Sequence, residues 1–363
     1  EIPAQVMSAL FDHKVRKKAF NAQFELTCLQ EHLDEVLPPE QWECTSVHAL
    51  YLGLPNDLDG VCNVIKIPDR YRKQKVGYSL IRTFCLPCRP TKTNNNRTRN
   101  LPHHEPEKWQ LFKQYCGMDV ECERYVALAL SAYPVPEKER RLWVLDQHMF
   151  RRGVGLDLEL VEAAMYCDAI VKQRFLKEAV ALTGLSNPNS VSQLSKWLEE
   201  EMDEEVADLR KKSIPKLLEK ADSATVHRML QLRQELSKAS VKKYEAMRRS
   251  VCADNRLRGV TQFYGANRTG RWAGRIVQLQ NLPQNHLKDL HLARDLVKAR
   301  DIETIETLFG SVPDVLSQLI RTAMIPKEGR RFVISDFSAI EARVIAWMAW
   351  CAWRLEVFET HGK

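Results

Sequence analysis

The feature that most constrains the fold lies near the end of the printed sequence, between Phe332 and Trp350. A short apolar run, Phe332 to Ile334, predicts a buried strand, and Asp336 follows it directly. The apolar spacing after Ser338 predicts an amphipathic helix. A strand that leads into a helix indicates an α/β or α+β arrangement in this part of the chain. At such an edge Asp336 is either a helix cap or a ligand for a hard metal ion.

Three long segments upstream have the apolar spacing of helices. Asp157 is the predicted N-cap of the first, which we expect to end at Gly184. Ser190 and Gln193 have the spacing of a capping box for the second. The third, residues 223–251, carries a run of basic side chains with few acids among them. Such a stripe is either a solvated face or a contact surface for nucleic acid.

Composition limits the class of protein. A length of 363 residues suggests two or three domains, and 44% hydrophobic with 28% charged residues is typical of globular proteins. The net charge of +7 permits a nucleic-acid partner without requiring one. Ten cysteines and no signal peptide favour reduced thiols in a cytoplasm. The apolar runs are too short to span a membrane. Because the first residue is not Met, we expect a processed or incomplete chain.

Changes in sequence character predict three units. The prolines within 133–140 mark the first boundary, and a switch to glycine- and arginine-rich sequence after residue 251 marks the second. The predicted units are residues 1–133, 134–250 and 251–363. In the first unit, residues 87–109 predict a long loop, and residues 109–131 predict a helix with one buried face.

The start of the third unit combines glycines with arginines, which suits a backbone that approaches DNA. The glycines are Gly265, Gly270 and Gly274, and the arginines are Arg268, Arg271 and Arg275. Glycine permits close approach of the backbone, and arginine supplies phosphate contacts. Gln280 and Asn281 can reach acceptors in the minor groove that all base pairs present. The alternative is a glycine-rich hairpin with surface arginines.

The residues Asp336, Phe337, Ser338, Ile340, Glu341 and Arg343 resemble the first palm motif of family A DNA polymerases, the DNA polymerase I family. The family pattern is Asp-Tyr-Ser-Gln-Ile-Glu-Leu-Arg. The resemblance implies that Asp336 binds two catalytic Mg²⁺ ions, which stabilise the attacking and leaving oxygens of an in-line displacement. It implies that the backbone after Asp336 touches the triphosphate of the incoming nucleotide. It also implies that Glu341 excludes a 2′-hydroxyl and that Arg343 holds this region together. Without the resemblance, Glu341 is an ordinary solvated helix residue.

Two further segments resemble the same family. Thr269-Gly270-Arg271 with Gln280-Asn281 is similar to the family's segment that contacts the primer–template duplex. Residues 187–198 and 230–244 resemble its thumb, which implies that Arg233, Lys238 and Lys242 contact duplex DNA. The residues of these motifs most resemble those of phage-type members of the family.

The first unit resembles a proofreading 3′-5′ exonuclease. Asn21, Ala22 and Phe24 match its middle motif, with Glu25 where the family has Asp. Tyr115 and Asp119 match its final Tyr-x-x-x-Asp motif, whose two residues share one helix face. The resemblance implies that Tyr115 orients a water molecule and that Glu25 and Asp119 bind metal. No first Asp-x-Glu motif is found after Glu1.

The resemblance as a whole implies an α/β and α chain, with a partial ribonuclease H-like exonuclease domain, a helical thumb and the beginning of a polymerase palm. It implies a DNA-directed DNA polymerase, a nucleotidyltransferase of DNA replication, with Mg²⁺ as cofactor. Primer–template DNA and deoxynucleoside triphosphates are the implied partners, with no membrane and a possible downstream polymerase segment. The family's fingers helix and second metal motif are not found, so we expect a truncated chain that is inactive alone. The alternative is a non-catalytic protein that binds primer–template DNA.

Overall fold

A computed structural model describes residues 2–72, 76–210, 212–238, 241–266 and 268–362. Helices account for 61% of the structure and strands for 7%, so the expected mixture of helices and strands is present, with helices predominating. The strands form three small sheets of two, three and two strands. Within the described ranges, no helix is both long and apolar enough to cross a membrane.

The first part of the chain packs short helices against one long helix. Its elements are α1 (Ala4–Phe11), β1 (Lys17–Ala19), α2 (Ala22–Leu33), β2 (Trp42–Cys44), α3 (Thr45–Tyr51), α4 (Leu58–Val64), α5 (Gly77–Cys85) and α6 (Pro106–Leu130). β1 and β2 pair in parallel, with Lys18 opposite Glu43. α6 confirms the helix predicted over 109–131, and it buries Tyr115, Cys122 and Val126. Between α5 and α6 the chain has only two short 3-10 turns, which confirms the predicted long loop.

The middle part is helical except for one strand. Its elements are α7 (Glu137–Arg152), β3 (Val154–Leu156), α8 (Leu158–Thr183), α9 (Val191–Met202), α10 (Ile214–Lys220), α11 (Ala224–Leu236) and α12 (Lys242–Ser250). The predicted ends of α8 are confirmed, because Asp157 accepts a hydrogen bond from the Leu160 amide and Gly184 has φ +66°. Ser190 caps α9 by accepting from the Gln193 amide. The Gln193 side chain accepts from the Asn187 amide, so the reciprocal half of the predicted capping box is not formed.

The last part supplies the remaining strands. Its elements are β4 (Arg256–Leu257), β5 (Thr261–Ala266), β6 (Arg271–Gly274), α13 (Leu290–Ala299), α14 (Ile302–Phe309), α15 (Val312–Leu319), β7 (Met324–Ile325), α16 (Ile340–Met348) and α17 (Ala352–His361). β5 and β6 form an antiparallel hairpin. β4 and β7 lie on either side of β3, and both run antiparallel to it.

The main apolar core surrounds α8. It contains buried side chains from α8, α12, α13 and α15, and it includes Leu257, Val260 and Val277, which flank the β5–β6 hairpin. Tyr244 of α12 is completely buried, and its hydroxyl donates a 2.7 Å hydrogen bond to the Leu316 carbonyl. Each large apolar side chain buried in this way contributes about 1.5–3 kcal/mol. The base of the hairpin is therefore anchored in the most extensive packing of the chain.

A charged cluster fixes the start of α8 within this core. The Asp157 carboxylate pairs with Arg294 at 2.6 Å and with Lys298 at 2.9 Å, and both partners lie on α13. Burial acts to raise the pKa of Asp157, but the hydrogen bonds and charges of Lys298, the Leu160 amide and Arg294 together hold it below its usual value. α13 is thereby fastened to the beginning of α8.

A smaller apolar cluster crosses the predicted boundary at residue 133. It joins Leu26 and Trp42 of the first part with Trp143 of α7 and Phe263 of β5. The chain between α6 and α7, residues 131–136, contains no helix or strand, as its prolines predict. Because packing continues across this connection, α7 and the hairpin share a core with the first part.

The buried strand predicted at 332–334 is wrong. These residues form no strand, and Val333 and Ile334 are 85% and 89% exposed. A strand needs a neighbour to satisfy its backbone N–H and C=O groups and a layer to cover its apolar face. Within the described ranges, this segment has neither a neighbouring strand nor a covering layer. An apolar pattern alone therefore did not determine burial here.

The prediction of one continuous helix over 223–251 is wrong. The structure has α11 and α12 with a break after Leu236, and residues 239 and 240 lie outside the described part. At the break, the Ser237 hydroxyl donates to the Gln234 carbonyl at 2.9 Å. Serine side chains that bond to nearby backbone compete with the helical pattern, which explains why the helix ends here.

Candidate nucleic-acid interface

The tip of the β5–β6 hairpin is shaped by one glycine. Gly270 has φ +68°, a conformation that favours glycine, and a Cβ atom there would lie 2.8 Å from the Tyr264 ring. The amides of Thr269 and Gly270 both donate to the Ala266 carbonyl at 3.0 Å. A bulge between Gln262 and Ala266 interrupts the pairing below the tip. The predicted Thr-Gly-Arg segment therefore lies in a tight turn that favours glycine at position 270.

The arginine side chains of the hairpin differ in their exposure and in their protein partners. Arg268 is exposed and has no carboxylate within 4.0 Å among the described residues. Arg271 is 72% exposed. The Arg275 guanidinium is instead bonded to the Gln262 side chain across the hairpin. Arg268 and Arg271 are therefore the hairpin cations best placed to meet a phosphate group.

The next predicted pair, Gln280 and Asn281, lies in a 3-10 turn just after the hairpin, and both residues are exposed. The Gln280 amide lies against Gly274, where a Cβ atom would be 1.9 Å from its Oε1. Gly274 thus allows the Gln280 side chain to rest on the hairpin, and the approach of DNA to this glycine stays a prediction.

Asp146 of α7 bonds to the hairpin through Trp272, and its role was not predicted from the sequence. It is 2% exposed, and its Oδ1 accepts a 2.7 Å hydrogen bond from the Trp272 indole N–H. Burial raises the pKa of Asp146 to about 6, although the bond from Trp272 acts in the opposite direction. The two residues are 126 positions apart in the chain, so no local pattern connects them.

Asp336 lies on an exposed segment. Its carboxylate makes no hydrogen bond or ion pair with any described residue. α16 begins at Ile340, and its N-cap residue is Ala339, which makes no side-chain capping hydrogen bond. Asp336 is therefore not the cap of this helix. The carboxylate remains open to a partner from solution.

The structure brings two of the predicted motifs together. Glu341 of α16 lies 3.7 Å from Arg271 of the hairpin, with both side chains mostly exposed. An exposed pair of this kind contributes at most about 1 kcal/mol, so it leaves Arg271 available to another anion. Arg343 donates to the Ser338 and Gly362 carbonyls at 2.8 and 3.0 Å and stacks on the Phe358 ring. Arg343 therefore joins the loop after Asp336 to both terminal helices.

The predicted thumb cations differ in their surroundings. Lys238 is bound to Glu235 at 2.9 Å, and its side chain is 28% exposed. Arg233 is half-buried and bonds to the Asn189 carbonyl at 3.5 Å. Lys242 is exposed and has no carboxylate partner in the described ranges. Lys242 is therefore the one of these three whose charge is free for a phosphate contact.

The predicted exonuclease residues lie on α2 and α6. Tyr115 is buried with its ring over Gly77, and Asp119 is half-buried one turn further along α6. Glu25 is half-buried, and its Oε2 has no hydrogen-bond partner among the described residues. Burial raises the pKa of Glu25, its own backbone amide acts against this, and the charge of Glu123 raises it further.

Glu123 was missed by the sequence analysis. Its carboxylate is 8% exposed and accepts a 2.6 Å hydrogen bond from the Thr45 hydroxyl. The available signal was its spacing, since it follows Asp119 by four residues and so shares a helix face with it. The structure thus adds a buried carboxylate whose charge acts on Glu25.

The described residues do not assemble a metal site by themselves. They contain no group of three or more His, Cys, Asp or Glu side chains arranged to hold a metal ion. Asp336 offers one carboxylate, while Glu341 faces Arg271. A Mg²⁺ ion held by Asp336 would therefore need oxygen donors beyond those that the described residues bring to it.

Comparison with known proteins places this geometry in context. No protein-family model matches the chain. The chain is 55% identical over 362 residues to a DNA polymerase of Bacillus phage SP02, an alignment that covers 100% of this chain and 55% of that protein. The fold is similar to the POL domain of Pol1 from M. smegmatis, solved in complex with DNA primer-template and dNTP. That similarity has a TM-score of 0.53 with 18% identity, and it covers 99% of this chain and 54% of the other.

The chain thus spans about half the length of the phage relative that it matches. The likeness to the mycobacterial domain is a likeness of fold, whereas the phage comparison extends through every motif that the sequence analysis identified. The resemblance of the chain to a DNA polymerase is therefore confirmed, since the chain is related along its whole length to a phage DNA polymerase.

Proposed function

We propose that this chain is part of a family A, phage-type DNA polymerase, in which it supplies an exonuclease-like region, a helical thumb and the beginning of the palm. The observation that carries the proposal is the 55% identity to the phage enzyme along the whole chain. The structure adds that two motifs some 70 residues apart meet, since Arg271 of the hairpin lies beside Glu341 of α16. The order of the motifs supports the same function.

The proposed partners are primer–template DNA and deoxynucleoside triphosphates. The hairpin tip carries exposed Arg268 and Arg271, which suits contact with a phosphate backbone. Lys242 extends the same chemistry to α12. In this account Arg233 and Lys238 position neighbouring backbone and side chains, because both are already engaged with protein groups.

Asp336 is the proposed catalytic carboxylate, and Mg²⁺ is the proposed ion. These assignments rest on the resemblance of residues 336–343 to the palm motif, together with the open position of the Asp336 carboxylate. Mg²⁺ is commonly bound by one or two carboxylates plus substrate phosphates. A single protein carboxylate on the described chain is consistent with a site that needs further oxygen donors.

The proposed 3′-5′ exonuclease-like function of the first part rests on Glu25, Tyr115 and Asp119. Burial raises the pKa of Glu25 on α2 and the charge of Glu123 on α6 raises it further, so the two carboxylates act on each other electrostatically. Its ribonuclease H-like fold is likewise proposed from the resemblance, with the parallel β1–β2 pair as the described sheet.

A second candidate function is non-catalytic binding of primer–template DNA. It is favoured by the hairpin, where exposed Arg268 and Arg271 can contact phosphate without any catalytic group. The two candidates share the hairpin as the contact surface and differ in whether Asp336 takes part in nucleotide addition.

The shared claim is tested by titrating a fluorescent primer–template duplex with the chain and measuring anisotropy at several salt concentrations. Log affinity falls linearly as log salt concentration rises, and each phosphate contact that is lost makes this fall less steep by about 0.9 for duplex DNA. The double variant Arg268→Gln, Arg271→Gln should therefore have a salt dependence that is less steep by about 1.8. The matched control is Lys113→Gln with Lys138→Gln, two exposed lysines on α6 and α7. An unchanged slope in the hairpin variant would refute the proposed interface.

A further inference from the structure

Two buried cysteines meet where α4 packs on α6. The sulfurs of Cys62 and Cys122 lie 3.0 Å apart, although the two residues are 60 positions apart in the chain. Both are thiols in the structure, and both residues are completely buried. The fold therefore brings together a pair of reactive groups that no local spacing in the sequence connects.

The surroundings of this pair are apolar side chains of the chain itself. Cys62 and Cys122 belong to a buried cluster that also contains Leu58 and Val61 of α4 and Val126 of α6. Because protein interiors are close-packed, these neighbours keep the two sulfurs against each other. The contact thus follows from the internal packing of α4 on α6 and needs no exposed surface.

The two sulfurs are close enough to become a covalent pair. A disulfide has an S–S length of about 2.05 Å, so the sulfurs at 3.0 Å need to approach by about 1 Å. Rotation of the two side chains and a small shift of one helix can supply this movement. α4 has seven residues and α6 has 25, so α4 is the element that we expect to shift.

We propose that Cys62 and Cys122 are a covalent modification site, at which a small-molecule disulfide converts the two thiols into a disulfide that fastens α4 to α6. One cysteine thiolate attacks a sulfur of the small disulfide, whose S–S bond breaks to give a mixed disulfide. The second cysteine then loses its proton and attacks the protein sulfur of the mixed disulfide, which releases the reagent. Two protein thiols are oxidised, and the small disulfide is reduced to two thiol groups, which take up the two protons.

Burial makes this reaction slow in both directions. Burial, together with the adjacent Cys122 thiol, raises the pKa of Cys62 to about 12. Only a thiolate attacks a disulfide, and a reagent reaches these sulfurs only when α4 opens from α6. Closing of the helices then shields the finished bond from reducing thiols. The pair therefore remains reduced in a reducing cytoplasm and retains its bond once oxidised.

The bond acts on the helix that carries two of the predicted exonuclease residues. Tyr115 and Asp119 precede Cys122 on α6. The loop that the bond closes contains α5, where a Cβ atom on Gly77 would lie 2.2 Å from the Tyr115 ring. Oxidation therefore restrains α4 and α5 against α6. The proposal does not rest on the proposed polymerase function, because the two thiols meet whatever the chain binds.

The test incubates the whole chain with mixtures of oxidised and reduced dithiothreitol, followed by an acid quench, alkylation, digestion and mass spectrometry. The digest should contain Cys62 joined to Cys122. Half oxidation of the folded chain should need a ratio of oxidised to reduced reagent about a hundredfold lower than in concentrated urea, because a bond that fits the fold is stabilised by it. The matched control is Cys167→Ala, which removes another completely buried cysteine, on α8, and should form the same bond.

Amide hydrogen exchange gives a second readout. Oxidation of the wild type should slow exchange in α4 by about tenfold, since the bond opposes opening of α4 from α6. The same treatment of Cys122→Ala should leave this exchange unchanged. A bond that maps to another pair of cysteines, equal reagent ratios for the folded and urea-denatured chain, or exchange in α4 that is the same before and after oxidation would overturn the proposal. All three results come from the wild type, so they hold even if Cys122→Ala does not fold.

Discussion

The buried contact between Asp146 and Trp272 predicts a specific pH dependence of stability. Burial raises the pKa of Asp146 from 3.8 to about 6, against the opposing effect of the Trp272 hydrogen bond. Between these two values the carboxyl is protonated in the folded chain and ionised in the unfolded chain. The folded state therefore binds more protons in this window, and stability falls as pH rises from about 4 to about 6.

The two pKa values set the size of the effect. Their difference corresponds to about 3 kcal/mol of unfolding free energy, which is lost between the low-pH and high-pH limits of the window. Asp146→Asn removes the titration and keeps an Oδ1 acceptor for the Trp272 indole. The Gln147 amide, which donates to Asp146 Oδ2 at 3.2 Å, can rotate to accept from the new amide group. The variant should therefore lack this part of the pH dependence.

The assay is urea denaturation from pH 4 to pH 7.5, with the difference between wild type and Asp146→Asn taken at each pH, because other carboxyl groups titrate in both proteins. Relative to wild type, the variant should gain about 2.4 kcal/mol on going from pH 4 to pH 7.5, because the unfolded carboxyl is already more than half ionised at pH 4. Asp59→Asn, an exposed carboxylate on α4, is the control and should show no such gain. A difference between wild type and Asp146→Asn that stays constant with pH would refute the reasoning.

Two further predictions concern the core around α8. Asp157→Ala removes a helix cap and leaves Arg294 and Lys298 without their shared carboxylate, so it should cost about 2–4 kcal/mol in urea denaturation. Asp157→Asn retains the cap and should cost less; equal costs would contradict the ion-pair account. Gly155→Ala places a Cβ 2.7 Å from the Ile325 carbonyl and should cost about 1–3 kcal/mol. The control Gly117→Ala meets nothing within 4 Å on α6 and should be neutral or stabilising, whereas equal effects at both glycines would contradict close packing of β3 on β7.

The features predicted correctly are those that the local sequence determines. Asp157 and Gly184 define the ends of α8 because capping and a left-handed terminal residue are properties of a few adjacent positions. The hairpin at Gly270, which the sequence offered as an alternative, depends on the same kind of local signal. Each of these elements needs no knowledge of distant parts of the chain.

The features that could not be predicted depend on partners far away in sequence. Val333 and Ile334 have the pattern of a buried strand, but burial requires a covering layer that the pattern does not encode. Asp146 looks like a surface residue of α7 until Trp272 is placed against it. Likewise, Arg271 and Glu341 were recognised separately, and only the fold shows that they meet.

The most direct test of the proposed polymerase is primer extension by this chain joined to a segment corresponding to the rest of the phage relative. The account predicts extension of a primer–template with deoxynucleoside triphosphates and Mg²⁺, and a loss of about a thousandfold in rate for Asp336→Ala, as expected when several kcal/mol of transition-state stabilisation is removed. Asp59→Ala is the control and should extend at the wild-type rate. Extension that survives Asp336→Ala undiminished would contradict the account.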